Sequence, residues 1–342
     1  MSAEFIPREQ LFLPTTSPMI IPKYWAEGRI QNRSAGRQTT VRRFGWSDSS
    51  QAEAQAHADQ RTAEALQRLL SGEKLDRREP KIPYDGADGL PIREEILDRR
   101  GETVITRNSY GASCLNTPDV FFADIDFAPF HLPGMVANLK YLSVLTGLLV
   151  AIAFSKPLGA GIVIVALILG GPIAKRIGSG IRKSKGDDEK ISRDTVADFT
   201  ADHPEWNFRV YRTPAGLRLL ATHQTFSPND PVVTECFKAL GTDPVYSRMC
   251  LNQQCFRARV SPKPWRIGIT NHLRPRPGVW PVKEEYLPSR NAWLADYRLA
   301  AEAFSSCRFI ESIGSGTTHP DVLPVLAWHD ELSKAESGLP IA

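Results

Sequence analysis

The sequence predicts an α+β fold in which helices pack on a mostly antiparallel sheet, interrupted by a two-helix transmembrane hairpin. Two observations support this prediction. Strand-like and helix-like segments alternate along both flanks of the chain. The middle of the chain is a long apolar run, and residues 141–174 contain a single charge, that of Lys156.

Composition and charge restrict the protein class. The chain has 342 residues, enough for one large domain or two modest ones, and its 42% hydrophobic content is that of a folded protein. A net charge of +4 is too small to indicate a nucleic-acid binder by itself. The five cysteines include no CxxC pair, which favours a reducing compartment and argues against a zinc site. The first residues lack a basic region followed by an apolar one, so we expect no cleavable signal peptide.

The flank before the apolar run is predicted to contain one helix and several strands. Residues 1–36 are rich in proline, arginine and polar types, which indicates an extended arm. A helix is predicted at 47–72, because serines at its start offer N-caps, its body is rich in alanine, and Gly72 ends it. Strands are predicted at 39–46, 103–107, 110–115 and 119–126.

The apolar run at 135–174 has the length and composition of two membrane spans. A straight helix over 141–174 would be roughly 51 Å long, whereas the hydrocarbon core is about 30 Å thick. Two spans fit better, at 136–155 and 158–174, because Pro157 and the glycines after it interrupt the helix. The alternatives are a buried helical hairpin in a soluble core and a hairpin that lies in the membrane surface or is re-entrant.

Charge predicts the orientation of this hairpin. Five basic residues follow the second span within 175–185, whereas Lys140 alone lies near the first, so the basic side is expected to stay in the cytosol. A hairpin returns the chain to its starting side. The predicted location is therefore the cell inner membrane, with two spans, both termini cytoplasmic, and membrane lipid as a partner. The expected domains are a split α+β domain formed by 1–134 and 186–342, with the hairpin at 135–175 between its parts.

The flank after the hairpin also alternates helices and strands. Residues 207–223 indicate two strands joined by a tight turn at 214–216. Further strands are predicted at 255–260 and 265–269. Helices are predicted at 192–206, 230–241, 289–314 and 319–335.

The candidate metal site is the pair Asp124 and Asp126, which follows the apolar residues 120–123. Because side chains alternate along a strand, both carboxylates face the same way and repel each other unless a positive group lies between them. Mg²⁺ and Mn²⁺ prefer carboxylate and phosphate oxygens, and such a pair commonly anchors metal-assisted phosphoryl or nucleotidyl transfer. We therefore predict Mg or Mn as the cofactor. The alternative is the polar end of a strand.

A phosphate-binding turn is predicted in the strand–turn–strand unit at 207–223. This unit brings Arg212, Thr213, Gly216 and Arg218 around one turn. Guanidinium groups bind phosphate through paired hydrogen bonds, and glycine lets the backbone approach the ligand. The alternative is a surface hairpin with solvated arginines.

Further cations are expected to line the same cleft. Arg257 and Arg259 alternate along a predicted strand and therefore share a face, and Lys263 follows in a loop spaced by prolines. Arg107 is predicted to join them in binding phosphate. The alternatives are ion pairs with structural carboxylates and contacts with lipid headgroups.

The order of these features resembles the catalytic core of the archaeo-eukaryotic primase superfamily, or a bacterial membrane protein family built on that core. An Asp-x-Asp pair at a strand end is followed by a helix and then by a strand, a glycine turn and a strand. The resemblance covers roughly 119–127 and 192–222. It implies that the aspartates bind metal and that 212–218 matches a Ser-x-x-Gly-x-His motif that contacts the phosphates of a nucleotide. Thr213 then stands for Ser and Gly216 for Gly.

The sequence departs from this family at two positions. Arg218 stands where the family has His, and arginine holds a phosphate but does not exchange a proton near neutral pH. His223 is predicted to lie on the opposite face of the strand, so it does not replace the missing His. No third acidic residue is found at a strand end, because Asp296 and Asp330 lie in predicted helices.

These features support two classes of function. One is a membrane-anchored protein that binds a divalent metal and a nucleotide or phosphate, with nucleotide or nucleic acid as its partner and nucleotidyl transfer as its chemistry if it is an enzyme. The other is a non-catalytic, membrane-anchored interaction or scaffold protein. The first class predicts that Asp124, Asp126 and the arginines of 212–218 and 257–259 converge on one cleft, whereas the second class does not require it.

Overall fold

Within the described residues, the fold has two four-stranded antiparallel sheets, a separate two-stranded ribbon and six α-helices. The computed structural model describes residues 19–34, 37–79, 90–127, 157, 188–276 and 280–342. The strands are β1 (Tyr24–Ser34), β2 (Arg37–Ser47), β3 (Glu95–Arg100), β4 (Thr103–Arg107), β5 (Ser113–Thr117), β6 (Phe122–Asp126), β7 (Asn207–Arg212), β8 (Gly216–Ala221), β9 (Phe256–Arg259) and β10 (Arg308–Gly314). The helices are α1 (Gln51–Leu70), α2 (Asp188–Asp202), α3 (Pro231–Ala239), α4 (Pro244–Gln253), α5 (Leu287–Ala301) and α6 (Leu323–Ser333).

The two larger sheets meet along their edge strands. The first sheet has the strand order β3-β4-β5-β9, and the second has the order β10-β7-β8-β6. All pairs in both sheets are antiparallel. The edge strands β6 and β9 lie beside each other, so the polar side chains of both strands surround one cleft.

The N-terminal ribbon is held by close packing against α1. β1 and β2 pair antiparallel along their whole length. A Cβ built on Gly45 would lie 2.1 Å from the backbone nitrogen of Ala58 in α1, so only glycine fits there. The side chain of Ser50 caps the start of α1 by accepting a hydrogen bond from the backbone nitrogen of Glu53.

The main hydrophobic core anchors the segment that leads into β6. Residues 120–123 are fully buried. The ring of Phe121 lies at the centre of an aromatic cluster, with ring centroids 5.0–6.3 Å from those of Trp206, Phe208, Phe226, Phe237 and Phe256. Because this burial fixes the start of β6 firmly, the polar residues at its end are held in a defined position.

The structure confirms the predicted α+β arrangement with antiparallel sheets and differs in several elements. The predicted helix at 289–314 ends at Ala301, because residues 308–314 pair with β7 as strand β10. The predicted strand at 265–269 is replaced by a short 3₁₀ turn, Pro264–Arg266, since proline has no N–H to donate to a ladder. Helix α4 and strands β1 and β3 were not predicted.

The described helices do not support the predicted membrane hairpin. Among the helices of the described ranges, none is both long enough and apolar enough to cross a bilayer. The helices α2 to α6 have at most 15 residues, or about 23 Å, which is less than the hydrocarbon thickness of about 30 Å. Helix α1 has 20 residues but carries several charges. The transmembrane part of the predicted fold class and the two-span inner-membrane location are therefore not retained. The range 135–175 itself lies outside the described residues, apart from Pro157.

Strands from both flanks of the chain pair with each other. Strand β5 pairs with β9, and β6 pairs with β8, so each large sheet contains strands from before residue 128 and after residue 187. The domain boundaries at 134, 175 and 186 stay a prediction.

Candidate functional site

A cleft of about 300 Å³ lies beside the neighbouring edges of β6 and β9. Half of the predicted site residues line it, namely Asp124, Asp126, Arg257, Arg259 and Lys263. The other half are described but lie outside its wall, namely Arg107, Arg212, Thr213, Gly216 and Arg218. The predicted convergence is thus partial: the aspartate pair meets the cations of β9 and the following loop, but Arg212 and Arg218 do not line the cleft.

Asp124 is held by Arg218 from the neighbouring strand. The two residues are directly opposite in the β6–β8 pair. Nε of Arg218 donates to Oδ1 of Asp124 at 2.8 Å, and a terminal nitrogen donates to Oδ2 at 3.2 Å. The other terminal nitrogen donates to the backbone oxygen of Arg259 at 2.8 Å. Burial alone would lower the pKa of Arg218, but the carboxylate outweighs it and raises that pKa. The charge of Asp124 is therefore compensated by a cation buried behind the cleft.

Asp126 has no such partner. It lies opposite Gly216, so no side chain of β8 faces its carboxylate. The carboxylate is exposed and forms no hydrogen bond or ion pair with any described residue. Partial burial, together with the charges of Asp124 and Asp243, raises the pKa of Asp126, although Lys263 and Arg259 act in the opposite direction.

A third carboxylate in the cleft, that of Asp243, was missed at the sequence level. Asp243 is the N-cap of α4, and its Oδ1 accepts a hydrogen bond from the backbone nitrogen of Val245 at 3.0 Å. Its own backbone N–H donates to the backbone oxygen of Asp124 at 3.2 Å. The signal that would have found it is Asp followed by Pro244, which is typical of a helix start.

The basic side of the cleft contains two cations without a carboxylate partner. Arg257 forms an ion pair with Glu94. By contrast, neither Arg259 nor Lys263 forms an ion pair with a described residue, and Nε of Arg259 is buried without a hydrogen-bond partner there. Burial, with the neighbouring charges of Arg259 and Arg266, lowers the pKa of Lys263. Among the described residues, the cleft therefore holds charged side chains of both signs that form no direct ion pair.

Tyr246 of α4 connects the two walls of the cleft. Its hydroxyl donates to the backbone oxygen of Phe122 in β6 at 3.0 Å and accepts from the backbone nitrogen of Arg257 in β9 at 3.2 Å. The side chain is half-buried and lines the cleft. This pair of contacts fixes the distance between the acidic and the basic side.

The turn between β7 and β8 is satisfied by its own contacts. Oγ1 of Thr213 accepts from the backbone nitrogen of Gly216 at 3.0 Å. Arg212 pairs with Glu189 at 3.0 Å and donates to backbone oxygens of the turn. A Cβ on Gly216 would lie 1.9 Å from the backbone oxygen of Ile125, so glycine is required here by the approach of β8 to β6.

Arg107 lies away from the cleft. It is buried in β4, where Nε donates to Glu95 at 3.0 Å and a terminal nitrogen donates to the backbone oxygen of Gly111 at 3.0 Å. It lines a second cavity instead.

The acidic side of the cleft suits a divalent cation that arrives with a phosphate. In the described part of the chain, no group of three or more His, Cys, Asp and Glu side chains is placed to hold a metal ion. Asp126 offers an unpaired carboxylate, and Oδ2 of Asp243 has no partner among these residues. Mg²⁺ typically takes one or two carboxylates, with waters and substrate phosphates as its other ligands. The residues present fit that kind of coordination and do not form a closed protein-only site.

Comparison of the chain with models of protein families, with curated proteins and with solved structures gave no match. The resemblance to the primase core stays a prediction from the order of the motifs. What the cleft can bind is inferred from its own side chains.

Proposed function

We propose that the cleft binds a nucleotide, or another compound with a phosphate group, together with Mg²⁺ or Mn²⁺. The observation that carries this proposal is the presence, in one cavity, of charged side chains of both signs that form no direct ion pair with a described residue. Among the described residues, Asp126 forms no ion pair with a cation, and Arg259 and Lys263 form none with a carboxylate, although these charges act on each other across the cleft. A metal–phosphate ligand carries the complementary pair of charges, so it relieves both deficits at once.

Each side of the cleft has its own part in this proposal. Asp126 and Asp243 would hold the cation, and Arg259 and Lys263 would hold phosphate oxygens. Arginine binds phosphate through two parallel hydrogen bonds, and lysine acts as a point charge. The bound cation would supply neutralisation of the phosphate charge. A volume of about 300 Å³ is at the lower end for a small-molecule site and suits the phosphate end of a nucleotide.

The primase resemblance supports the same location. Its first motif lies on β6 and its second lies at the start of β8, and these two strands are paired. Asp126 faces Gly216 across this pair, so the two motifs are adjacent in space. A nucleotide at this place would contact the end of β6, as the resemblance implies.

The contacts of Arg218 favour binding over nucleotidyl transfer. Both carboxylate oxygens of Asp124 accept hydrogen bonds from Arg218, which stands where the primase motif has His. A guanidinium does not exchange protons near neutral pH, so it cannot act as an acid or a base in the reaction. We therefore propose a nucleotide-binding protein, and we expect no incorporation of labelled nucleotide into a primed template.

The proposal is tested by calorimetric titration of ATP into the full chain with and without Mg²⁺. We expect ATP to bind in the presence of Mg²⁺ and to bind about tenfold more weakly in Arg259→Gln and in Lys263→Gln, because each loses a charge-assisted hydrogen bond. Arg99→Gln is the matched control, since Arg99 is exposed on β3 and does not line the cleft. Absence of ATP binding under both conditions, or equal binding by all variants, would refute the proposal.

A further inference from the structure

A second cavity, of about 490 Å³, lies between the first sheet and the ends of α5 and α6. It shares no wall residue with the cleft described above. We infer that this second cavity binds a small organic anion, with its carboxylate or phosphate group at Arg107 and Ser306 and an apolar body along the rest of the wall. This inference is independent of the proposed nucleotide site.

The wall of the second cavity carries an excess of positive charge. Three basic side chains, those of Arg107, Arg298 and Lys334, accompany a single carboxylate, that of Glu302. Lys334 donates to the backbone oxygen of Glu302 at 2.7 Å and so caps the end of α5. Arg298 is exposed at the rim and forms no ion pair with a described residue. An anion entering the cavity would meet this unbalanced charge.

Positive charge is also in excess among the buried side chains behind the wall of the second cavity. Arg107 is 5% exposed and Arg290 is 4% exposed. Both donate to the same oxygen of Glu95, at 3.0 Å and 2.8 Å. One carboxylate thus accepts hydrogen bonds from two buried guanidinium groups. Burial lowers the pKa of Arg107, and the charges of Arg298 and Arg290 lower it further, although Glu95 opposes them. A second anion near Arg107 would correct this imbalance.

Ser306 supplies an independent sign of a ligand. It lines the cavity and is 2% exposed, and its buried Oγ has no hydrogen-bond partner among the described residues. Buried hydroxyls in native proteins are nearly always hydrogen-bonded. An anionic oxygen in the cavity would accept from this hydroxyl, and Nη2 of Arg107, which donates to no described residue, would provide a second donor.

The remaining wall determines what the rest of the ligand must be. Leu97, Val260, Phe304 and Leu332 contribute apolar surface. An inorganic ion would leave this surface uncovered, whereas an aliphatic or aromatic body would bury it. The ligand class is therefore a carboxylate or a phosphate monoester with an apolar body, and the shared chemistry of both is a compact anionic group.

The inference is tested on the full chain with three probes, namely benzoate, phenyl phosphate and benzyl alcohol. The binding of each probe is measured by ligand-observed NMR titration. We expect saturable binding of at least one of the two anions and no saturable binding of benzyl alcohol. Arg298→Gln should lower the affinity for the anion by about fivefold or more, because the positive charge at the rim is lost. Ser306→Ala should lower the affinity for the anion by about threefold or more. The fold should stay intact, since the hydroxyl has no hydrogen-bond partner among the described residues to lose.

Two controls separate this site from the proposed nucleotide site. Arg99→Gln removes an exposed arginine outside the cavity, and Asp126→Asn alters the other cleft. Arg99→Gln should bind either anionic probe as the wild type does, and Asp126→Asn should bind benzoate, which has no phosphate group, as the wild type does. The inference is overturned if neither anion binds, if benzyl alcohol binds equally well, or if Arg298→Gln and Ser306→Ala bind the probe unchanged.

Discussion

Two aspartates on one strand face have different environments. The sequence predicted that Asp124 and Asp126 point the same way, and the register of β6 with β8 confirms this. It did not predict that Arg218 compensates only one of them, because that depends on which β8 residue lies opposite each aspartate. A one-residue shift in register would have exchanged their partners. Asp124 is therefore a structural residue as well as a wall residue, whereas Asp126 is free to bind a ligand.

Replacing Asp124 should destabilise the protein. In Asp124→Asn, the buried guanidinium of Arg218 loses its charged partner, and we expect a loss of about 3 kcal/mol in the free energy of unfolding. Urea denaturation of the wild type and the variant measures this difference. Asp98→Asn, at an exposed position of β3, should differ from the wild type by less than about 0.5 kcal/mol. Equal stability of all three proteins would show that the Asp124–Arg218 ion pair contributes nothing to the free energy of unfolding.

Replacing Asp126 should have the opposite effect at neutral pH. The fold raises the pKa of Asp126 above its ordinary value of 3.8, so ionisation of this group favours the unfolded state. The wild type therefore loses stability, relative to Asp126→Asn, as the pH rises through the pKa of Asp126. We expect the variant to melt at a higher temperature at pH 7, and the gap to close below about pH 4. A lower melting temperature for the variant at pH 7 would show that Asp126 has a stabilising partner.

The elements show where local sequence signals are sufficient. Helix α1 and strand β4 were predicted because their caps and composition are local. Strand β10 was predicted as helix, because the pairing with β7 that makes it a strand joins residues far apart in the chain. Helix α4 was missed, because only strands at 255–260 and 265–269 were predicted in this part of the chain, and Asp243 was missed with it.

Gly216 shows that a residue can be identified before its role is known. The sequence predicted that it lets the backbone approach a phosphate. In the structure its missing side chain lets β8 approach β6. Both roles need the same residue type, so the pattern alone does not distinguish them.

Substitution of Gly216 should separate β8 from β6. In Gly216→Ala, the new Cβ would meet the backbone oxygen of Ile125 at 1.9 Å, and the strands must shift. We expect a loss of about 3 kcal/mol in the free energy of unfolding and a weaker Asp124–Arg218 contact. Gly72→Ala is the comparison, since Gly72 has φ +92° in open space and should lose only about 1–2 kcal/mol. Urea denaturation that ranks Gly72→Ala as the more harmful change would contradict this packing.

At the scale of the whole molecule, the described residues form one network that spans the undescribed middle of the chain. Strands β5 and β6 come from the first flank, and strands β8 and β9 come from the second. The apolar run predicted the membrane hairpin, and the described helices do not support it. The cleft arises only when the flanks combine. Spacing along the chain therefore predicted some of its wall residues, such as Asp126 and Lys263, but also placed there Arg107 and Arg212, which lie outside its wall.

The network buries all five cysteines, which are free thiols. Burial raises the pKa of Cys255 to about 12, so its reactive thiolate is scarce at neutral pH. We expect a thiol reagent such as DTNB to label the native chain only as fast as it unfolds, and to label five thiols in urea. Rapid labelling of several thiols in the native protein would contradict the burial of this core.

The most direct test of the cleft is the effect of Mg²⁺ on ATP affinity in the wild type and in Asp126→Asn, measured by calorimetry on the full chain. If Asp126 holds the cation while Arg259 and Lys263 hold the phosphates, Mg²⁺ should strengthen ATP binding by about tenfold or more in the wild type. In the variant this gain should disappear, and ATP without Mg²⁺ should bind more tightly than to the wild type, since a repelling carboxylate is gone. An equal gain from Mg²⁺ in both proteins would contradict the account.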